Sequence, residues 1–188
     1  MNEAFEKILM KDVRALLFAN WLTDIAELFK VPFSDYTRIH RQALCTHLSE
    51  LVTTGLRYAK YQREDSQSFH NGERLQFYTC IISSIEKFVD ALTDDEYIYL
   101  FHLRNHACHI FAVAYDYIYL DGTVKSEFKT TLLTKSGRKE FNIEELEKKL
   151  KTTICGFGAS DIVFMEYIYN KSKEVFIPMF EEYIKYRQ

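Results

Sequence analysis

The sequence predicts an all-α fold: a helical bundle of about four main helices followed by a C-terminal helix. Two facts of composition and one pattern point there. Only 6 glycines and 2 prolines interrupt 188 residues, so helix breakers are scarce. Long apolar side chains are plentiful, with 13 Tyr and 15 Phe in a chain that is 47% hydrophobic. Apolar residues also recur at spacings of three and four over long stretches, the period that keeps one helical face dry. The length suits one domain spanning 1–188, with a core bundle over 1–121 and a C-terminal extension over 122–188.

Taken in order, the first helix is expected from Asn2 to Lys30. Phe5, Ile8, Leu9, Val13, Leu16, Leu17, Trp21, Ile25, Leu28 and Phe29 hold to one face, and Pro32 ends the run. Ser34 is placed to cap a second helix reaching about Gln62, and the polar run Arg63 to Gly72 reads as a loop. A third helix follows from about Glu73 to Leu92. Thr93-Asp94-Asp95-Glu96 is a capping box whose acidic residues suit the positive end of a helix dipole. It opens a fourth helix that runs to about Leu120 and stops at Asp121-Gly122. The short connection makes the third and fourth helices an antiparallel hairpin in expectation.

Beyond Gly122 the helical pattern breaks. Thr123 to Leu133 has some β-character and Ser136-Gly137 is a turn signal, compatible with a small hairpin insertion around 123–140. Asn142 with Glu145 is placed to cap a short helix to about Lys151, and Gly156 with Gly158 forms a linker. Ser160 caps the last helix, for which a kink before Pro178 is expected.

Charge and cysteine usage narrow the functional classes. A formal charge of −3 argues against a nucleic-acid coat protein while leaving room for a local basic site. Cys45, Cys80, Cys108 and Cys155 stand singly, the pattern of reduced cytosolic thiols and not of a disulfide framework or zinc ribbon. The N-terminus, charged from Glu3 onward, has no apolar signal core. The most apolar stretch, Tyr97 to Leu120, contains His102, Arg104, Asn105, His106, His109 and Asp116, each costly in hydrocarbon. A soluble cytoplasmic protein without a membrane partner is therefore expected.

That stretch carries the main chemical clue. Phe101-His102-Leu103-Arg104-Asn105-His106-Ala107-Cys108-His109-Ile110-Phe111 places a polar cluster inside an apolar helix, which is expensive unless it is paired or faces a cleft. On helical spacing Asn105 and His109 share a face, so the amide can orient the imidazole. Arg104 lies about 140° from His109 and flanks that edge. The pairs Arg41…His47 and Arg63…His70 lack an Asn after the arginine.

Arg104-Asn105 followed by His109 resembles the signature of the HEPN superfamily: an arginine, a polar residue, a short spacer and a histidine on a late helix of an α-helical bundle. The resemblance covers positions 104–109 strictly, and the helices from Glu73 to Leu120 loosely. It implies a metal-independent endoribonuclease, a homodimer whose two motifs meet in one cleft, and a toxin–antitoxin or phage-defence setting. The substrate class would be RNA, either tRNA or mRNA, with an antitoxin or regulatory protein as a further partner and no cofactor. His109 would move the proton at the 2′-hydroxyl or leaving oxygen, Arg104 would stabilise charge on the phosphorane, and Asn105 would support them. The products would carry 2′,3′-cyclic phosphate and 5′-hydroxyl ends. Toxins of this superfamily paired with nucleotidyltransferases often carry a tyrosine two residues after the histidine; here that position is Phe111.

Other readings of the same residues stand beside this one. His102, His106 and His109 fall within about 60° of one helical face, with Asp116 near the stripe, a spacing that can clamp zinc or iron. His40 and His47 on the second helix could complete such a set. In chemistry alone this resembles the DinB-like and hemerythrin-like bundles. A third reading is a binding module without catalysis, in which the polar cluster only holds a ligand or partner. For RNA contact the second helix offers Arg38, Arg41, Arg57, Lys60 and Arg63 with Tyr36, Tyr58 and Tyr61 interleaved, and His106 lies beside the motif. The blander alternative for that helix is a solvated amphipathic face. Tyr115, Tyr117 and Tyr119 read as core and interface, and the all-round apolarity of the fourth helix suggests a dimer covering it. Gly156-Phe157-Gly158 lacks the strand and third glycine of a phosphate loop.

Overall fold

The protein is all-α, with one short β-hairpin. A computed structural model describes residues 13–108, 129–142 and 159–185. Its helices are α1 (Val13–Leu28), α2 (Arg38–Glu50), α3 (Leu56–Ser68), α4 (Gly72–Ala91), α5 (Asp94–Cys108) and α6 (Ala159–Lys185). A 3-10 turn spans Phe33–Asp35, and a π-helical turn at Leu51–Gly55 joins α2 to α3 without a break. Strands β1 (Lys129–Thr134) and β2 (Gly137–Asn142) pair antiparallel about the turn at Lys135 and Ser136. The hairpin thus falls where the turn signal placed it. The parts of the first and fourth helices expected before Val13 and after Cys108, and the short helix expected from Asn142 to Lys151, lie outside the described residues.

The chain divides into two compact units. One comprises Met1–Tyr36, His47–Ala91 and Ile168–Gln188; the other comprises Thr37–Thr46 and Leu92–Tyr167. In the first, Phe18, Leu22 and Ile25 of α1 are buried, as are Leu48, Leu51 and Val52. The π turn adds one residue to a helical turn and sets Gly55 against α1. A Cβ there would fall 3.2 Å from Phe18 Cε2 and 3.0 Å from Leu51 Cδ1, so a side chain at this close approach would push both neighbours back by a few tenths of an ångström. Tyr78 of α4 and Tyr58 of α3 meet edge to face, with centroids 6.3 Å apart.

The packed hairpin of this unit is α3 with α4. Its joint overturns the expected loop at Arg63–Gly72, because α3 continues to Ser68. Gln62 and Ser66 are buried; Arg74 bonds Gln62 and lies 3.5 Å from Asp65, so these polar side chains serve the helix pair rather than solvent. The end of α3 is a Schellman arrangement: Asn71 N–H donates to Ser66 O, His70 N–H donates to Gln67 O, and His70 takes a φ of 53°. Asn71 then caps α4, its Oδ1 accepting from Arg74 N–H at 3.1 Å.

The second helix also starts later than expected. Ser34 belongs to the 3-10 turn, and Thr37 is the cap instead: its Oγ1 accepts from His40 N–H while His40 Nδ1 accepts from Thr37 N–H. This is a capping box with histidine at the third helical position. The last helix runs from Ala159 to Lys185 with Pro178 inside it, so the proline does not end it. Between α4 and α5 the predicted box forms as read: Thr93 N–H donates to Glu96 Oε2 at 2.7 Å, and Glu96 N–H donates to Thr93 Oγ1 at 3.2 Å.

Candidate functional site

Helix α5 carries the hexapeptide and is the centre of the second unit. Tyr97 through Leu103 are all buried, two turns covered on every side. Three elements of the same unit touch this helix. Cys45 Sγ of α2 donates to Leu100 O at 3.3 Å, Phe164 of α6 meets Tyr99 edge to face at 5.1 Å, and β1 packs along it. The turn of the hairpin is tied down by Lys135, whose ammonium donates to Leu92 O at 2.6 Å. At the start of α5 the Tyr167 hydroxyl donates to Glu96 Oε2 at 3.4 Å, and burial, then Glu96, pushes that phenol above its ordinary pKa. Over Tyr97–Leu103 the single chain covers this helix by itself, and the rest of the apolar stretch that suggests a dimer lies outside the described residues.

Arg104 is the first residue after this buried stretch and is half-buried. It lies one turn beyond Phe101, whose ring packs on Tyr97 at 4.9 Å. Tyr97 itself is held above the ordinary phenol pKa by burial. Asn105 and His106 belong to the described helix, Asn105 at the position three residues after buried His102 and seven after buried Ile98. His109, Phe111, Asp116 and the tyrosines at 115, 117 and 119 lie outside the described residues. The structure thus places the arginine and the helix that presents it, while the arginine–histidine geometry rests on sequence spacing.

The histidine stripe begins in the core. His102 is 4% exposed, with its ring 5.5 Å from that of Tyr99. Among the described residues no three His, Cys, Asp or Glu side chains come together as a metal set. The two histidines offered by the second helix have other work. His40 closes the cap of α2, and His47 Nε2 lies 3.4 Å from Asp24 Oδ2 in the first unit. Burial lowers the His47 pKa, and Asp24 only partly offsets it.

The basic candidates separate as well. Arg38 and Arg41 belong to the second unit, Arg57 and Lys60 to the first. Lys60 is engaged with Glu86 at 2.7 Å. Tyr36 and Tyr58 are core residues, whereas Tyr61 is 60% exposed. In the first unit the stacking-and-phosphate face therefore reduces to exposed Arg57 and Tyr61, one turn apart on α3, with half-buried Arg63 on the same helix.

One polar network escaped the sequence reading. At the end of α1, the Tyr36 hydroxyl donates to Leu28 O at 2.8 Å and the Tyr169 hydroxyl donates to Val31 O at 3.0 Å. Lys173 Nζ donates to Phe29 O at 3.1 Å and to the Tyr169 hydroxyl at 2.8 Å. Phe29, Phe33 and Tyr36 surround the Tyr169 ring at centroid distances of 5.8, 5.5 and 5.2 Å. Nothing local in the sequence links positions 28–36 to 169–173; the Tyr169-to-Lys173 spacing of four was the only available sign.

Comparison with protein-family models, with curated proteins and with solved structures finds no match for this chain. Among the described residues no helix is long and apolar enough to cross a membrane.

Proposed function

We propose that this chain is a metal-independent endoribonuclease, with Arg104 stabilising the phosphorane, His109 moving the proton and Asn105 orienting the imidazole. The observation that carries the reading is the place of Arg104: a half-buried arginine directly after two fully buried turns of helix. A planar, permanently charged fork on such a packed support suits charge that develops only in a transition state. Its surroundings in an all-α chain agree with the family that the Arg104-Asn105-x-x-x-His109 pattern resembles. In this reading the substrate is tRNA or mRNA, two protomers contribute a motif each, and the setting is a toxin–antitoxin or phage-defence system. An antitoxin or regulatory protein would hold the activity in check.

The metal alternative gains less support. The first histidine of its stripe is a core ring against Tyr99, and His40 already serves a helix cap.

The test is cleavage of total RNA and of tRNA in EDTA by the purified protein, beside Arg104→Ala and His109→Ala. The reading expects cyclic-phosphate ends from the parent and a loss of at least about 100-fold in each variant. Cleavage that both variants retain, or that needs added metal, refutes it.

A further inference from the structure

The hairpin is a basic segment of an acidic chain. From Lys129 to Asn142 it carries four cations, Lys129, Lys135, Arg138 and Lys139, against one acid, Glu140. The chain as a whole holds 24 basic and 27 acidic residues, so the hairpin stands at +3 and everything outside it at −6. A polyanion is repelled by such a surface in general and drawn to a place where the sign reverses.

The hairpin is also held in a defined place on the unit that carries Arg104. Its turn is closed by buried Thr134, whose Oγ1 donates to Gly137 O at 2.6 Å and accepts from Ser136 N–H at 3.2 Å. Lys135 pins that turn beside the start of α5 through Leu92 O, and β1 packs on the helix. From the pinned turn, β1 therefore extends back along α5 toward Arg104. Its six residues span about 16–20 Å, and the rise from Leu92 to Arg104 is about 18 Å, so Lys129 begins within about one turn of the level of Arg104.

The free cations lie between these two ends. β1 is the strand against α5 and β2 its only partner in the sheet, and every residue from Lys135 to Glu140 is exposed. Arg138 pairs with Leu133 and Lys139 with Leu132, which puts them about 10–15 Å short of the level of Arg104 along the helix axis. That separation is a few nucleotides of RNA backbone.

We infer that the hairpin is the arm that holds the RNA substrate, with Arg138 and Lys139 on backbone phosphates neighbouring the one that Arg104 addresses. The inference rests on the ribonuclease reading for its ligand, yet the two fail separately.

The test uses the full chain and labelled tRNA in EDTA. Binding is followed by fluorescence anisotropy between about 50 and 200 mM salt, in a His109→Ala background so that the probe stays whole. Arg138→Ala, Lys139→Ala and their double are compared with Lys87→Ala, which removes one exposed charge from α4 of the other unit. Circular dichroism checks folding. The expected result is at least tenfold weaker binding in the double variant, with the slope of log affinity on log salt shallower by roughly 1.5, and less than a twofold change for Lys87→Ala. With His109 restored, the double variant should lose cleavage at limiting RNA and regain it at saturating RNA. Binding by the double variant within twofold of the parent background overturns the inference and leaves the cations as guards of an open strand edge. An equal loss from Lys87→Ala, or a parent that binds no RNA, overturns it too. A parent that binds through the hairpin but cleaves nothing sinks the ribonuclease reading alone. A parent that cleaves, with the hairpin variants at full strength, sinks this inference alone.

Discussion

Replacing Tyr169 by Phe removes one oxygen from the hub that closes the end of α1. The ring remains, with its three aromatic neighbours, so the change isolates polar terms. Two bonds disappear: the donation to Val31 O at 3.0 Å and the acceptance from Lys173 Nζ at 2.8 Å. A neutral hydrogen bond contributes about 1 kcal/mol net and one to a charged group about 1.5–3, while a stranded buried carbonyl costs extra. The sum is a loss of about 2.5–4 kcal/mol, roughly 5–16 °C in midpoint for a chain of this size. Tyr36→Phe removes the neutral bond to a Leu28 carbonyl that also accepts from Val31 N–H at 3.2 Å. Its cost should be smaller, about 1 kcal/mol. Urea unfolding followed by tyrosine fluorescence and by circular dichroism measures both. A Tyr169→Phe loss under about 0.5 kcal/mol, or one no larger than that of Tyr36→Phe, would refute the view that these donors hold the end of α1.

Two further effects follow from the same structure. Tyr36 and Tyr78 are pushed above the ordinary phenol pKa of 10.0, chiefly by burial. Since the folded state keeps them protonated, their contribution is intact below pH 10 and is lost as the unfolded phenols ionise above it, at about 1.4 kcal/mol per pH unit for each. Unfolding free energy measured from pH 8 to 11 should therefore stay flat with respect to these groups and then fall. A stability that holds level to pH 11 would contradict their burial. At the end of α3, His70 sits at a φ of 53° with an exposed side chain, so His70→Gly should stabilise the protein by about 1 kcal/mol. Thermal unfolding is the measurement, and a lower midpoint would count against the Schellman geometry.

Several elements were legible in the residues alone because the forces that make them are local. Thr93 and Glu96 lie three residues apart and satisfy each other's backbone, so the start of α5 needed no tertiary partner. The third helix was expected from Glu73 to Leu92 and observed from Gly72 to Ala91, because its apolar period is unbroken. Ser136-Gly137 marked the β-turn to within a residue. The spacing of Arg104, Asn105 and His109 is likewise a property of the chain, and the chemistry proposed for it rests on that spacing.

Other features depended on contacts distant in sequence, and there local polarity misled. Arg63 to Ser68 looked like loop because it is polar, yet Arg74 from the next helix gives Gln62 and Asp65 their partners and keeps the turn helical. Tyr36 and Tyr58 looked available for stacking and are core, and Lys60 looked free for phosphate and meets Glu86. By itself the sequence determined helix type, the cap at Thr93 and the order of the main elements, each set by neighbours within about four residues. Only the tertiary structure decided which polar side chains were already satisfied, because a donor at position 169 or 173 and a carbonyl at 29 or 31 meet through packing, which no local pattern encodes.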